Sequence, residues 1–241
     1  MIPPKPVSEV WRPELVRLPR LTLPRRAFRA FSYGLIKLVS RICLNLRAEG
    51  LEKIPRRGPL LIVMNHLGDA DAVAVISCLP WAPDALGKIE LHDFGLLGKL
   101  IHYYGVIWLH RGRPDTRALR AVLKGLAEGR AIVIAPEGRY SLIGALEEGT
   151  EGAAFLALKA GVSILPIAVA GTENENVYGH MKKLRRAPVL LKVGNPFKLT
   201  GGVDARREAL SDGTLRIMQA LAELLPEEYR GVYASGRRNH E

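Results

Sequence analysis

The sequence predicts an α/β fold: a mostly parallel or mixed central sheet with helices on both faces, preceded by an N-terminal amphipathic helix that associates with a membrane. Three observations carry this prediction. Short continuous apolar runs, such as Leu60–Met64, alternate with stretches of helical periodicity. Those runs lack the in-out alternation of a strand with one wet face, as expected of strands covered on both sides. The chain has 241 residues, 48% of them hydrophobic, which suits one α/β domain with a full core.

The elements follow in order. Met1–Pro24 carries six prolines, which discourage helix and sheet alike, so an extended arm is expected, with Trp11, Leu15 and Leu18 as apolar anchors. Over Arg25–Leu46, Phe28, Phe31, Leu35, Val39, Ile42 and Leu46 recur at helical spacing. Arg26, Arg29, Tyr33, Lys37 and Arg41 fall on the other faces, the pattern of a basic interfacial helix. The alternative is a helix packed on its own domain with a solvated basic face. The arm and helix form a first region, 1–46, and the rest a second, 47–241.

Asn45–Gly50 is a possible first strand, and Gly58-Pro59 is a turn before strand Leu60–Met64. Helix Ala72–Leu79, strand Ala85–Lys88 and helix Phe94–Tyr104 come next. After the apolar run Gly105–Leu109, helix Thr116–Glu128 stops at Gly129. Strand Ala131–Ala135, helix Gly152–Ala160, strand Ile164–Ala170 broken by Pro166, and strand Pro188–Val193 complete the alternation. Val203–Leu225 is expected to be helical with an interruption at Asp212-Gly213.

In such a sheet, ligands gather beyond the carboxyl ends of the strands. Leu60–Met64 is followed by Asn65, His66, Asp69 and Asp71. An imidazole at a strand end, with a carboxylate five residues on, suits a general base and its orienting partner. On one continuous helix the two would lie about 140° apart, so they meet only if His66 is on the turn and Asp71 in the next helix. Gly68 permits that turn, and Asp69 or Asp71 can cap the helix. Read alone, the stretch fits turn and cap residues equally well. The other strand ends bring Lys88, then His110, Arg111 and Arg113, then Glu137, Gly138, Arg139, Tyr140 and Ser141. One base and several guanidinium or ammonium groups on one rim suit an acceptor that carries a phosphate.

Four blocks in this order resemble the glycerolipid acyltransferases, and most closely the 1-acylglycerol-3-phosphate (lysophosphatidate) acyltransferases. They are His66-x4-Asp71, Gly105-Val-Ile-Trp-Leu-His-Arg111, Pro136-Glu-Gly-Arg-Tyr-Ser141 and Ile164-Leu-Pro-Ile-Ala-Val-Ala170, and the likeness runs from about Gly50 to Val193. The resemblance implies that His66 deprotonates the acceptor hydroxyl and Asp71 fixes its tautomer. It implies that Arg111, with Lys88 beside it, holds the acceptor phosphate. Glu137 and Gly138 would shape the acceptor pocket, and Pro166 would line the acyl-donor side. The third block departs from the family's Glu-Gly-Thr-Arg-Ser: here the arginine, Arg139, stands one place forward, which in extended chain reverses its side chain, while from a turn it would still reach the acceptor phosphate as a substrate-binding residue.

The partners implied are a lysophospholipid acceptor, an acyl carrier protein or CoA thioester as co-substrate rather than a cofactor, and a phospholipid surface at the cytoplasmic face of the cell membrane. The formal net charge is +11, and Met1–Gly50 alone holds ten Lys/Arg against three Asp/Glu, which directs the front of the chain to an anionic surface. No apolar run reaches the ~18 residues of a spanning helix. Cys43 and Cys78 form no disulfide framework and fit a reducing compartment. Within the acyltransferases, the alternative acceptor is another lysophospholipid or a lipid-linked sugar; two other classes compete. A metal-dependent hydrolase using His66, Asp69 and Asp71 lacks a second histidine in a fitting block. A nucleic-acid-binding protein is disfavoured because aromatic residues are only 6% and none interleave with a basic strand.

Overall fold

Five strands in this chain run parallel because each is joined to the next by a helical crossover, the connection that parallel pairing requires. The computed structural model describes residues 3–112, 114–200 and 207–234. Its strands are β1 (Leu44–Glu49), β2 (Leu60–Met64), β3 (Asp84–Lys88), β4 (Ile107–Leu109), β5 (Ala131–Ile134), β6 (Ser163–Ala170) and β7 (Ala187–Val193). Its helices are α1 (Leu23–Cys43), α2 (Ala70–Cys78), α3 (Gly95–Tyr104), α4 (Thr116–Ala127), α5 (Gly152–Ala160), α6 (Asn174–Lys182) and α7 (Arg207–Leu224). The sheet order is β1-β7-β6-β2-β5-β3-β4. Strands β6, β2, β5, β3 and β4 are mutually parallel; β7 is antiparallel to β6 and carries β1 parallel to itself at the edge. The sheet is therefore mixed, and the carboxyl ends of the five parallel strands form one rim.

Successive residues of β2 serve opposite layers. Leu61 and Val63 pack with α4, α5 and α7 residues such as Val122, Leu156 and Met218. Leu60, Ile62 and Met64 pack with α2 residues Ala74 and Val75 and with Leu165 and Val169 of β6. Both faces of the strand are thus apolar, which explains its unbroken hydrophobic run.

Several expectations are corrected. The helix expected to reach Leu46 ends at Cys43, and Leu44–Leu46 are already strand, paired with Ala187–Val189. β6 is not broken at Pro166. Gly194 N donates to Pro166 O at 2.9 Å, and the next partner on that side is Phe197, opposite Ile164. The N–H that proline lacks would have faced this gap in the ladder, so nothing is lost. Helix α7 runs on through Asp212-Gly213, where the absence of a Cβ admits Leu199 against the helix; the residues expected to begin it, 203–206, lie outside those described. Helix α6 was not anticipated: nine residues with few apolar positions gave no periodic signal. In the arm, Leu15 and Leu18 pack against the core, Val16 is buried beside a 3-10 turn at Pro13–Leu15, and Trp11, expected as an anchor, is largely exposed.

Helix α1 docks by its polar side. Arg29, buried, donates to Asp84 Oδ1 at 2.6 Å and to the carbonyls of Ala82 and Pro83, with its guanidinium over the Tyr104 ring. Tyr33 donates to Leu79 O, and Ser77 to Ser40 Oγ. The apolar positions Phe31, Leu35, Leu38 and Ile42 face outward, with Phe31 67% and Ile42 63% exposed. Leu96, Leu97 and Leu100 of the adjacent α3 are exposed as well. The helix turns these apolar positions away from its own domain. Among the described residues no helix is long and apolar enough to cross a membrane.

Candidate active site

The last buried residue of β2 sets up the site. The Asn65 side chain pairs with the backbone of Val169, donating from Nδ2 to its carbonyl and accepting from its N–H, both at 2.8 Å. This amide continues the β2–β6 ladder by one rung and releases the main chain, which turns away at His66. Gly68 lies in that turn against the loop after β6: a Cβ there would come within 2.5 Å of Thr172 O.

Asp71, in the first turn of α2 and fully buried, gathers the turn around one oxygen. Its Oδ2 accepts from His66 Nδ1 at 2.6 Å, from Leu67 N at 2.7 Å and from Gly68 N at 2.9 Å. With Nδ1–H directed at a carboxylate, the lone pair of the neutral ring resides on Nε2. No group among the described residues bonds that nitrogen. The His66 side chain is 27% exposed and borders a cavity of about 630 Å³. Tyr140 stands edge-on to the imidazole, with ring centres 4.1 Å apart. Its hydroxyl donates to Asp69 Oδ1 at 2.7 Å, and Tyr178 donates to Asp69 Oδ2 at 2.9 Å. Burial, then the Asp69 carboxylate, holds the Tyr140 phenol well above its ordinary pKa, so it remains a donor. Asp69 is at the N-cap position of α2 but makes no side-chain cap; its carboxylate anchors the two tyrosines instead. The three residues a metal-dependent reading would use, His66, Asp69 and Asp71, do not converge on one point.

Lys88, from the end of β3, and Arg111, after β4, border the same cavity as His66. Lys88 Nζ lies 6.0 Å from the centre of the Tyr140 ring. Arg111 Nη2 is 3.7 Å from Glu90 Oε2, and its buried Nε has no partner among the described residues. Leu86, Leu109, Leu119, Val122, Ile134 and Leu156 form an aliphatic wall of the cavity. A second hollow, about 560 Å³ between α1, β1 and α2, holds none of the motif residues.

The third block divides its labour. Glu137 is 1% exposed; its Oε1 accepts from His66 N at 2.9 Å and its Oε2 from Glu147 N at 2.8 Å. It holds the His66 turn from behind and is not among the cavity-lining residues, whereas Gly138 is. Burial pushes the Glu137 carboxyl up to about 7, the charges of Glu147 and Asp71 add to this, and the two backbone N–H groups oppose it. Ser141 N donates to His66 O at 2.7 Å, and its hydroxyl is tied to Ala145 O, so it is a turn residue.

Arg139 and Pro166 have different settings in the fold. Arg139 is buried: Nε and Nη2 face Glu147 Oε2 at 2.8 and 2.7 Å, and Nη1 donates to the carbonyls of Pro3 and Pro4. It borders the cavity, but its guanidinium holds the N-terminal arm rather than facing an acceptor. Pro166 lies mid-strand in β6 and is not among the residues that line the cavity.

Sequence reasoning missed a second pair with the same spacing. His110 Nδ1 bonds Asp115 Oδ2 at 2.8 Å, both side chains buried. His110 Nε2 accepts from Arg12 N at 2.9 Å, and Trp11 covers the ring, with centres 4.3 Å apart. Against the cost of its burial, hydrogen bonds from the His110 ring and backbone and from Ala118 N hold the Asp115 carboxyl below its usual range. The signal was present as His110-x4-Asp115. Lys5 was missed too: it borders the cavity from an arm that has no motif.

A model of the acyltransferase family matches residues 45–170. The chain is 31% identical over 133 residues to a 1-acyl-sn-glycerol-3-phosphate acyltransferase of Borreliella burgdorferi, covering 54% of this chain and 53% of the relative. It is 28% identical over 155 residues to a lyso-ornithine lipid O-acyltransferase of Pseudomonas aeruginosa, covering 64% and 58%. The chain thus spans about half the length of the curated relatives it matches. Among solved structures, the 1-acyl-sn-glycerophosphate (LPA) acyltransferase of Thermotoga maritima superposes with a TM-score of 0.62, covering 82% of this chain and 80% of that one at 23% identity, a likeness of fold.

Proposed function

The chain belongs to the acyltransferase family, and we propose that it moves a fatty acyl group from a thioester of CoA or acyl carrier protein to the free hydroxyl of 1-acylglycerol 3-phosphate, giving phosphatidic acid. The observation that carries this reading is the open Nε2 of His66, beside a cavity with cations at its rim and an aliphatic wall. In this reading Nε2 takes the proton of the acceptor hydroxyl as its oxygen attacks the thioester carbonyl. The tetrahedral intermediate then collapses, the C–S bond breaks, and the imidazolium returns the proton to the departing thiolate. Asp71 holds the ring and stabilises the imidazolium; it takes no proton itself. The acceptor is the nucleophile, so no acyl-enzyme is needed, in keeping with Ser141 being tied into its turn. Lys88 and Arg111 face the acceptor phosphate, and the aliphatic wall suits an acyl chain.

The outward apolar stripe of α1 supports a bilayer location; that this is the cytoplasmic face of the membrane is part of the proposal. A helix that buries arginine, tyrosine and serine while exposing Phe31, Leu35, Leu38 and Ile42 has its solvent preferences reversed unless lipid covers the stripe. Lys37 and Arg41 flank it for anionic headgroups.

The test is turnover by the purified full chain, with 1-acylglycerol 3-phosphate and either thioester, and products identified by mass. Phosphatidic acid is the expected product, and its absence with both donors would end this reading. For the surface, Phe31→Asp with Leu38→Asp is expected to lower binding to anionic vesicles at least tenfold without loss of fold. Undiminished vesicle binding would remove α1 from that role.

A further inference from the structure

The N-terminal arm is pinned to the rim on both sides of Lys5. On one side, Arg139 Nη1 donates to Pro3 O at 2.8 Å and Pro4 O at 3.2 Å. On the other, Ser8 N donates to Arg111 O at 3.0 Å, and Arg111 N donates to Ser8 Oγ at 2.8 Å. Val7 lies against Gly112, whose φ is +87° and where a Cβ would come within 2.5 Å of the Val7 side chain. The two anchors belong to the second and third blocks. The residues between them, Lys5 to Val7, border the cavity that His66 borders.

Lys5 Nζ donates to the carbonyl of Glu148 at 2.8 Å. No carboxylate bonds it among the described residues. Glu147 is engaged by Arg139 and by Leu142 N, and Glu137 by two backbone N–H groups. Partial burial lowers the Lys5 pKa, outweighing the nearby acids, and no carboxylate neutralises the half-buried ammonium by direct contact. An ammonium has three donors, and the Glu148 carbonyl takes one.

We propose that Lys5, held in the cleft by the arm, is an anion-binding residue that receives the phosphate monoester of the acceptor in place of the third-block arginine. Arg139, one position forward of the family pattern, is committed to Glu147 and to the arm carbonyls; the same displacement that withdraws this guanidinium from the cleft fastens a lysine into it. The phosphate monoester as ligand rests on the acyl-transfer reading above.

The test separates the two readings. sn-Glycerol 3-phosphate is titrated into the full chain by calorimetry, which needs no turnover. Lys5→Gln keeps a donor for the Glu148 carbonyl and removes the charge; it is expected to weaken binding about tenfold, with Lys5→Arg within about threefold of the parent. In turnover, Lys5→Gln is expected to raise the acceptor KM by a similar factor, leave the donor KM in place, and lose its effect on monoacylglycerol, which has no phosphate. Hydrogen exchange over residues 3–16 confirms that the arm stays seated, and Lys5→Met, judged by the same measures, is the second variant. Equal binding by the parent and Lys5→Gln overturns the assignment, as does absence of binding by the parent or a rise in the donor KM instead. Lys5-dependent binding without acyl transfer upholds the subsite and sinks the enzyme reading.

Discussion

Two His-x4-Asp pairs end two strands of the same rim, after β2 and after β4, and their internal geometry is nearly the same. Each histidine presents Nδ1 to the second oxygen of its aspartate, at 2.6 Å for His66–Asp71 and 2.8 Å for His110–Asp115. Each aspartate also accepts a backbone N–H from the turn and sits at the start of a helix. They differ at the other nitrogen. His66 Nε2 is open to the cavity, whereas His110 Nε2 receives the Arg12 amide beneath Trp11. Spacing alone makes an oriented imidazole; the occupant of Nε2 decides whether it is free to accept a proton or serves as a clasp.

The largest effect expected from this comparison is at the open pair. His66→Ala should lower transfer by about 10³-fold or more, with a thermal midpoint near that of the parent, as measured by initial rates and circular dichroism. Parent-like turnover would leave the two pairs indistinguishable and refute the base. At the closed pair, His110→Ala should leave transfer within about tenfold of the parent. Its loss of one buried acceptor corresponds to about 1–2 kcal/mol, read as about 5–30-fold faster amide exchange in residues 8–16. A loss of turnover matching that of His66→Ala, with the arm still protected, would make His110 the chemical residue.

The effect expected to be smallest on turnover, being one of stability, concerns what supports each turn. The His66 N–H is held by Glu137, from another strand end, whereas the His110 N–H is held by its own Asp115. Because burial raises the Glu137 pKa in the fold to about 7, its contribution to stability is complete below the unfolded value near 4.5 and is lost as pH rises through 7. The span corresponds to about 3 kcal/mol at most. Denaturant titrations from pH 4.5 to 7.5 should show this slope in the parent and a flatter one in Glu137→Gln. An unchanged slope would assign it to another carboxyl.

The middle of the sheet was legible because strands such as β2 and β5 are unbroken apolar runs closed by glycine, proline or polar residues; strand Leu60–Met64 and helix Gly152–Ala160 have the bounds their patterns predicted. Pro166 was misjudged because a proline reads as a breaker until the neighbouring chain is known, and that neighbour, Gly194 to Phe197, is about 30 residues away. His66 and Asp71 were legible as a pair because a short turn can bring them together. The places of Arg139 and Lys5 were not, since both depend on a proline-rich arm folding back over 130 positions in the chain, which no local pattern records. The arginine's displacement within the third block was visible as a change; its partners at Pro3 and Pro4 were not.

Helix α1 passes into β1 with no residue between Cys43 and Leu44, and β1 is bonded along its length to β7. A joint without slack transmits attitude. Were lipid to cover the Phe31–Ile42 stripe as proposed, the tilt of the sheet relative to it would follow from one peptide junction together with the Arg29–Asp84, Tyr33–Leu79 and Ser77–Ser40 contacts. The imidazole is then presented at a constant height and bearing, like an instrument on a rigid mount rather than one on a tether.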